Sequence, residues 1–321
     1  LTGLPDGLRA GHVIAAQPTG NSYAVRSIPE VSGGFLVQEP ASGRVLAMQG
    51  GFDSRLSDFN RATQALRQPG STIKPFVYAT GLDQGMTPAS QVPDQAYCFY
   101  QGAALGEKCF RNFGGGGGGV HTMRWGLEQS RNLMTVHIAM EAGMPNVTRT
   151  FERVGIGKYE NYPSFALGAG DTTVLKMVNA YSALANHGRL NTPTVIDYVQ
   201  DRRGKVLWRA DNRDCRGCNM AKWDGKPMPR FGVKGAQAMD ARTAFQVMHM
   251  LRGAVNRGTA TVLNSLNLPL FGKTGTTTGP KDVWFIGGTQ QMIAGAYIGF
   301  DQPRNMGGYA FGGTIAAPII K

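Results

Sequence analysis

RQPGSTIKPF, residues 67–76, places Ser71 three positions ahead of Lys74, directly after a Pro-Gly break. A lysine set among Ile73, Phe76 and Val77 is not a surface lysine, because burial disfavours its charged form. From Ser71 to about Leu82, STIKPFVYATGL reads as a buried helix. Pro75 is tolerated there because a first turn needs no N–H from it. Residues three apart share a helix face, so Lys74 can reach Ser71. A serine hydroxyl is a weak nucleophile until a base removes its proton. Burial beside a second cation lowers a lysine towards a usable base. Ser-x-x-Lys alone is common by chance, so the rest of the chain has to decide.

Upstream, GGFLVQEPASGRVLAMQGG reads as a hairpin with strands at Phe35–Val37 and Val45–Met48 and a turn at Pro40 to Gly43. Residues 1–30 read as irregular and polar, broken by Pro5, Pro18 and Pro29. Downstream, residues 85–120 read as loop, including the run Gly114–Gly119, which has no side chains to pack. MRWGLEQSRNLMTVHIAMEAG, TTVLKMVNAYSALANHG and ARTAFQVMHMLRGAVNRGTA carry helical periodicity. PTVIDYVQDRRGKVLWRA reads as a hairpin around Arg203-Gly204, and LFGKTGTT, DVWFIGGTQ and MIAGAYIGFD as three antiparallel strands. The expected fold is therefore α+β: an antiparallel sheet flanked by helices, with an adjoining helical subdomain. The sheet part covers about 31–70 and 240–321, and the helical part about 71–190.

The 321 residues are enough to bury a sizeable core without staples. No apolar run reaches the length of a membrane span, and the N-terminus has no signal-peptide pattern. The net charge of +12 suggests an anionic partner or surface. The basic residues are scattered and no nucleic-acid motif occurs, which argues against nucleic acid. Four cysteines fall into two local pairs, Cys98 with Cys109 and Cys215 with Cys218. Disulfides, a four-thiolate zinc site and free thiols are the three readings. Only the second pair has short zinc spacing, and an even count in local pairs favours disulfides. The five histidines lie in no triad context, and no Gly-x-Ser-x-Gly elbow occurs.

Two further motifs follow Ser71-x-x-Lys74 in order: Ser130-Arg131-Asn132 and Lys273-Thr274-Gly275-Thr276. Three such motifs, each in a fitting structural setting, are highly specific. In them Ser130 suits a proton relay to a leaving amine, and the Asn132 amide suits a substrate peptide group. Lys273 and Thr274 suit a substrate carboxylate. Gly275 allows the strand to approach a ligand closely, since it has no Cβ. Arg131 is given no role.

The three motifs resemble those of the transpeptidase domain of class A, bifunctional-type penicillin-binding proteins. The resemblance extends over GGFDSRLSDFNRATQALRQPGSTIKPFVYATGLDQG, GLEQSRNLMTVHIA, LGAGDTTVLKMVNAYSALANHG, DVWFIGGT and FGGTIAAPI, and covers roughly residues 30–320. It implies the penicilloyl-serine transferase fold and an acyl-enzyme on Ser71. It also implies an oxyanion hole made by the backbone N–H groups of Ser71 and Thr276. The implied reaction cross-links peptidoglycan stem peptides at D-Ala-D-Ala and is inhibited by β-lactams, with no cofactor and no metal. The implied setting is periplasmic, in a longer, membrane-anchored protein with a glycosyltransferase domain. Residues 1–30 then read as a linker or the remnant of a preceding domain, and 31–321 as the transpeptidase domain. An extracytoplasmic setting favours Cys98–Cys109 and Cys215–Cys218 bridges. The start at Leu1 reads as a piece of something longer, and beyond Lys321 a further helix packed on the sheet is expected. FALGAGDTTVL contains no Glu-x-x-x-Asn, the deacylation element of class A β-lactamases. Asp171 is the nearest acid, so slow hydrolysis is expected. A β-lactamase or esterase-type hydrolase, and a non-turnover β-lactam sensor or scaffold, are the alternatives.

Overall fold

The computed structural model describes residues 8–9, 11–100, 103, 106–210, 222, 224–227 and 235–321. The chain opens with a hairpin, β1 (Ala15–Thr19) and β2 (Ser22–Arg26), where irregular structure was expected. Gly20, with φ of 57°, takes the first central place of the two-residue turn, which glycine suits. β3 (Val31–Gln38) and β4 (Val45–Gln49) form the second hairpin. A 3₁₀ turn, Gly70–Ile73, then runs into α1 (Lys74–Asp83), so Ser71 stands ahead of the α-helix rather than at its first residue. All of α1 except Asp83 is buried, as in a helix enclosed on every side.

The expected loop of residues 85–120 holds four short strands: β5 (Gln91–Pro93), β6 (Cys98–Tyr100), β7 (Glu107–Cys109) and β8 (Val120–Thr122). β5 pairs with β8, and β6 with β7. The long helix expected next is broken into α2 (Met123–Glu128) and α3 (Asn132–Ala142), with Ser130 in the break. α4 (Met144–Arg153), a 3₁₀ turn at Pro163–Leu167 and α5 (Val174–Ala185) complete the helical block. Thr122 and Thr173 cap α2 and α5 by accepting from Trp125 N and Lys176 N. β9 (Arg189–Leu190), β10 (Tyr198–Gln200), β11 (Val206–Arg209) and β12 (Ala236–Gln237) form two ribbons, β9 with β12 and β10 with β11.

α6 (Ala241–Asn256), capped by Asp240, leads through a 3₁₀ turn at Thr261–Leu266 to β13 (Phe271–Thr276), β14 (Asp282–Gly288) and β15 (Ile293–Phe300). A π turn at Gly312–Ala316 and α7 (Ala317–Ile320) follow. The central sheet is antiparallel with five strands in the order β13-β14-β15-β3-β4. Alternation along β14 serves two cores. Trp284 and Ile286 enter the large core with α1, α5 and α6, whereas Phe285 meets Val255, Leu263, Ala316 and Ala317 on the other face. The sheet is therefore covered on both sides. α1 lies where the helical block meets β13, with the turn of Ser71 against that strand.

Candidate active site

The turn of Ser71 is held by backbone contacts. Thr72 Oγ1 donates to Pro69 O at 2.8 Å, and Tyr181 Oη of α5 donates to Thr72 O at 2.7 Å. Gly70 has φ of 52°, and a Cβ there would lie 3.1 Å from Thr276 O and 3.4 Å from Thr276 N. The backbone of Thr276 thus runs beside the turn of Ser71. In a 3₁₀ turn residues i and i+3 eclipse, so Ser71 and Lys74 stand on one side. Ser71 is half-buried, and among the described residues its hydroxyl has no hydrogen-bond partner.

Lys74 is fully buried. Its Nζ donates to Ser130 O at 2.6 Å, to Asn132 Oδ1 at 2.6 Å and to Ser130 Oγ at 3.4 Å. The first two of the three motifs therefore meet on one amine. Burial holds Lys74 well below its ordinary value of 10.5; the charges of Lys273 and Arg131 push the same way, and Asp94 opposes them. Ser130 reaches Lys74 because its φ of 59° turns the chain between α2 and α3. This left-handed conformation is uncommon for a residue other than glycine.

The third motif forms the other wall. Lys273 is fully buried, and desolvation pushes it down to about 7. Lys273 pairs with Ile286 and Gly275 with Trp284, so both face the large core beside α1. Thr274 and Thr276 point to the opposite face. Thr274 Oγ1 lies 2.6 Å from Thr259 Oγ1, and Thr276 Oγ1 accepts from Gly312 N at 3.2 Å. Gly275 is tightly confined within the fold. A Cβ there would meet Pro69 O at 2.5 Å, so its lack of a side chain lets β13 come close to the segment that leads into Ser71.

Several residues of this site escaped the sequence reading. Asp94, buried in a segment read as loop, pairs with Arg131, with Nε to Oδ2 at 2.8 Å. Asn112 and Gly116 belong to the same cluster, since Asn112 Nδ2 donates to Gly116 O at 3.0 Å. Gly116 and Gly117 of the glycine run thus border Asn112, whereas a Cβ at Gly114, Gly115 or Gly118 would meet nothing within 4 Å. Arg67 Nε bonds Asp282 Oδ1 at 2.8 Å, a buried pair that ties the RQPG approach to β14. Nothing local in the sequence marks these partners, because each is supplied from far along the chain. Asp171, the acid noted in the sequence, is exposed, and its carbonyl accepts from Tyr159 Oη. Cys98 and Cys109 are bonded across β6 and β7, which takes both thiols out of any four-thiolate site. Cys215 and Cys218 lie outside the described residues.

A buried lysine shared by two motifs, beside a serine with a free hydroxyl and a lysine-bearing strand, can support acyl transfer to serine. Residues 33–321 match the family described as the penicillin binding protein transpeptidase domain. The chain belongs to that family. Penicillin-binding protein 1A of Rickettsia prowazekii is 38% identical over 318 residues, which are 98% of this chain and 40% of that protein. This transpeptidase domain therefore spans about 40% of the length of that curated relative. The crystal structure of penicillin-binding protein 1A from Haemophilus influenzae superposes with a TM-score of 0.82 at 28% identity, covering 95% of this chain and 49% of that one. PonA1 of Mycobacterium tuberculosis, in complex with penicillin V, shares the fold with a TM-score of 0.72 at 23% identity, over 91% of this chain and 77% of that one.

Proposed function

We propose that this domain is a serine D-Ala-D-Ala transpeptidase that cross-links peptidoglycan stem peptides and is acylated by β-lactams. The observation that carries the reading is the buried Lys74, held by Ser130 and Asn132 one turn from Ser71. Lys74, kept neutral, takes the Ser71 proton as Oγ attacks the carbonyl of the penultimate D-Ala. The N–H groups of Ser71 and Thr276 hold the oxyanion; each such donor contributes about 3 kcal/mol elsewhere. The C–N bond breaks, and the departing amine takes a proton through the Ser130 hydroxyl. An acceptor amine then attacks the ester, gives up a proton by the same route and restores Ser71. Asn132 can give its second Nδ2 hydrogen to the substrate peptide, since the first is held by Arg111 O at 3.0 Å. Lys273 supplies the charge that binds the terminal carboxylate, whereas Thr274 stands on the other face of β13 with its hydroxyl at Thr259 Oγ1.

The exposed Asp171 offers no base aimed at the acyl ester, which supports slow hydrolysis. We assign residues 31–321 to this domain, and 1–30, with the β1–β2 hairpin, to a linker or preceding domain. The longer relatives support a protein of greater length, anchored in the inner membrane, facing the periplasm and carrying a glycosyltransferase domain. Among the described residues no helix is long and apolar enough to cross a membrane.

Intact-mass spectrometry after incubation with a penicillin tests the reading. The protein gains the full mass of the drug, keeps it for minutes, and loses the adduct in Ser71→Ala. A D-amino acid accelerates turnover of a thioester donor. Penicillin turnover near about 10 per second without an acceptor effect makes the protein a β-lactamase instead. Acylation that never turns over makes it a sensor.

A further inference from the structure

Helix α3 starts at Asn132, and no side chain of its own N-terminal segment caps it. The first N–H groups of a helix have no intrahelical partner. Here Asn112, some twenty residues upstream and nearly buried, supplies the cap. Its Oδ1 accepts from Asn132 N at 2.9 Å and from Leu133 N at 3.2 Å. Its Nδ2 donates to Asp94 Oδ1 at 2.8 Å and to Gly116 O at 3.0 Å. The amide therefore has a partner for each oxygen lone pair and each hydrogen. Asp94, also buried, turns its other oxygen to Arg131. Gly117 of the glycine run lies against this cluster, for a Cβ there would lie 2.7 Å from Asp94 O and 3.3 Å from Asn112 Nδ2. Asn132, one of the two residues that hold Lys74, is thus itself fixed by a side chain that bonds neither Lys74 nor Ser71.

We propose that Asn112 is a positioning residue for acyl transfer. By capping α3 from outside the helix it sets Asn132, and through Asn132 the amine of Lys74, in the geometry that lets Ser71 be deprotonated. This rests on the acyl-transfer reading above. Misplacement of a reacting group by about 1 Å can lower a rate about 100-fold without much change in binding. A cap that served folding alone would leave the chemical step of the folded protein intact.

The test measures the dissociation constant and the first-order acylation constant separately, with a fluorescent penicillin as the probe. Labelling of the wild type at Ser71, lost in Ser71→Ala, is the reference; if that fails, the acyl-transfer reading is what falls. Asn112→Ala is expected to lower the acylation constant by about 10- to 100-fold while changing the dissociation constant by less than about 3-fold. Val147→Ala, a truncation in the core of α4 that gives a comparable loss of Tm, keeps the acylation constant. In an Asn132→Ala background, Asn112→Ala adds less than about 2-fold, because residues that act through one another are not additive. Asn112→Ser, a milder truncation, gives the same pattern and replaces Asn112→Ala if that variant does not fold. A wild-type acylation constant in the folded Asn112 variant, or effects of Asn112 and Asn132 that multiply, overturns the proposal.

Discussion

At the scale of single residues, the proposed reaction needs two buried lysines in opposite states. Lys74 has to be neutral to accept a proton, and Lys273 has to be charged to bind a carboxylate. Lys74→Ala is expected to lower penicillin acylation by about 10² to 10⁴, the usual contribution of a general base. Unchanged acylation in that variant points to a different base. The pH dependence follows from the same pair. The second-order acylation constant rises with pH as Lys74 loses its proton, and falls through about 7 as Lys273 loses its charge. In Lys273→Arg the charge persists to high pH, so the falling limb should move upward. A falling limb that stays in place assigns it to another group.

Among the elements, the joints matter more than the helices and strands they connect. The break between α2 and α3 places Ser130 at φ 59°. Left-handed backbone costs a residue with a Cβ about 1 kcal/mol. Ser130→Gly should therefore be at least as stable as the wild type in thermal unfolding, yet be slowed in acylation by loss of the hydroxyl. Ser130→Ala should be slowed as much without the gain in stability. Equal acylation by both variants and the wild type removes Ser130 from the reaction. At the other joint, Gly275→Ala pushes a Cβ into Pro69 O. Overpacking of this kind costs about 1–3 kcal/mol, so both Tm and acylation should drop; an unchanged Tm contradicts the close approach. The sequence made the regular elements legible, because the apolar period of α5 and α6 and the alternation of β13 to β15 are local patterns. The three motifs were legible as spacings. The break at Ser130 was not, because GLEQSRNLMTV keeps its helical period through it. The Asp94–Arg131 and Arg67–Asp282 pairs were not, because a charge says nothing of a partner far away in the chain. The short strands of residues 85–120 were hidden by glycines and by pairing three residues at a time.

Across the whole molecule, the same lysines tie stability to pH. A lysine whose folded value is about 7, against about 10.4 unfolded, binds its proton less tightly when folded. The unfolded chain then carries the extra proton, so stability rises with pH between those values by up to about 1.4 kcal/mol per pH unit for this group. Below about 7 both states hold the proton and this dependence ends. Lys273→Met should flatten the rise in chemical denaturation between pH 7 and 10; the same slope in the variant shows that Lys273 does not cause it. The central sheet has one more consequence. β15 pairs with β3, and β13 and β14 lie beside the turn of Ser71, so a sheet built from early and late residues borders the site. A ribosome delivers residues in order, at about 5–20 per second. The serine and its lysine emerge long before the strand that carries Lys273, so for a time the growing polypeptide holds the first two motifs without the third. Under the acyl-transfer reading, reactivity waits on β13, and a chain that has yet to reach it holds no complete site.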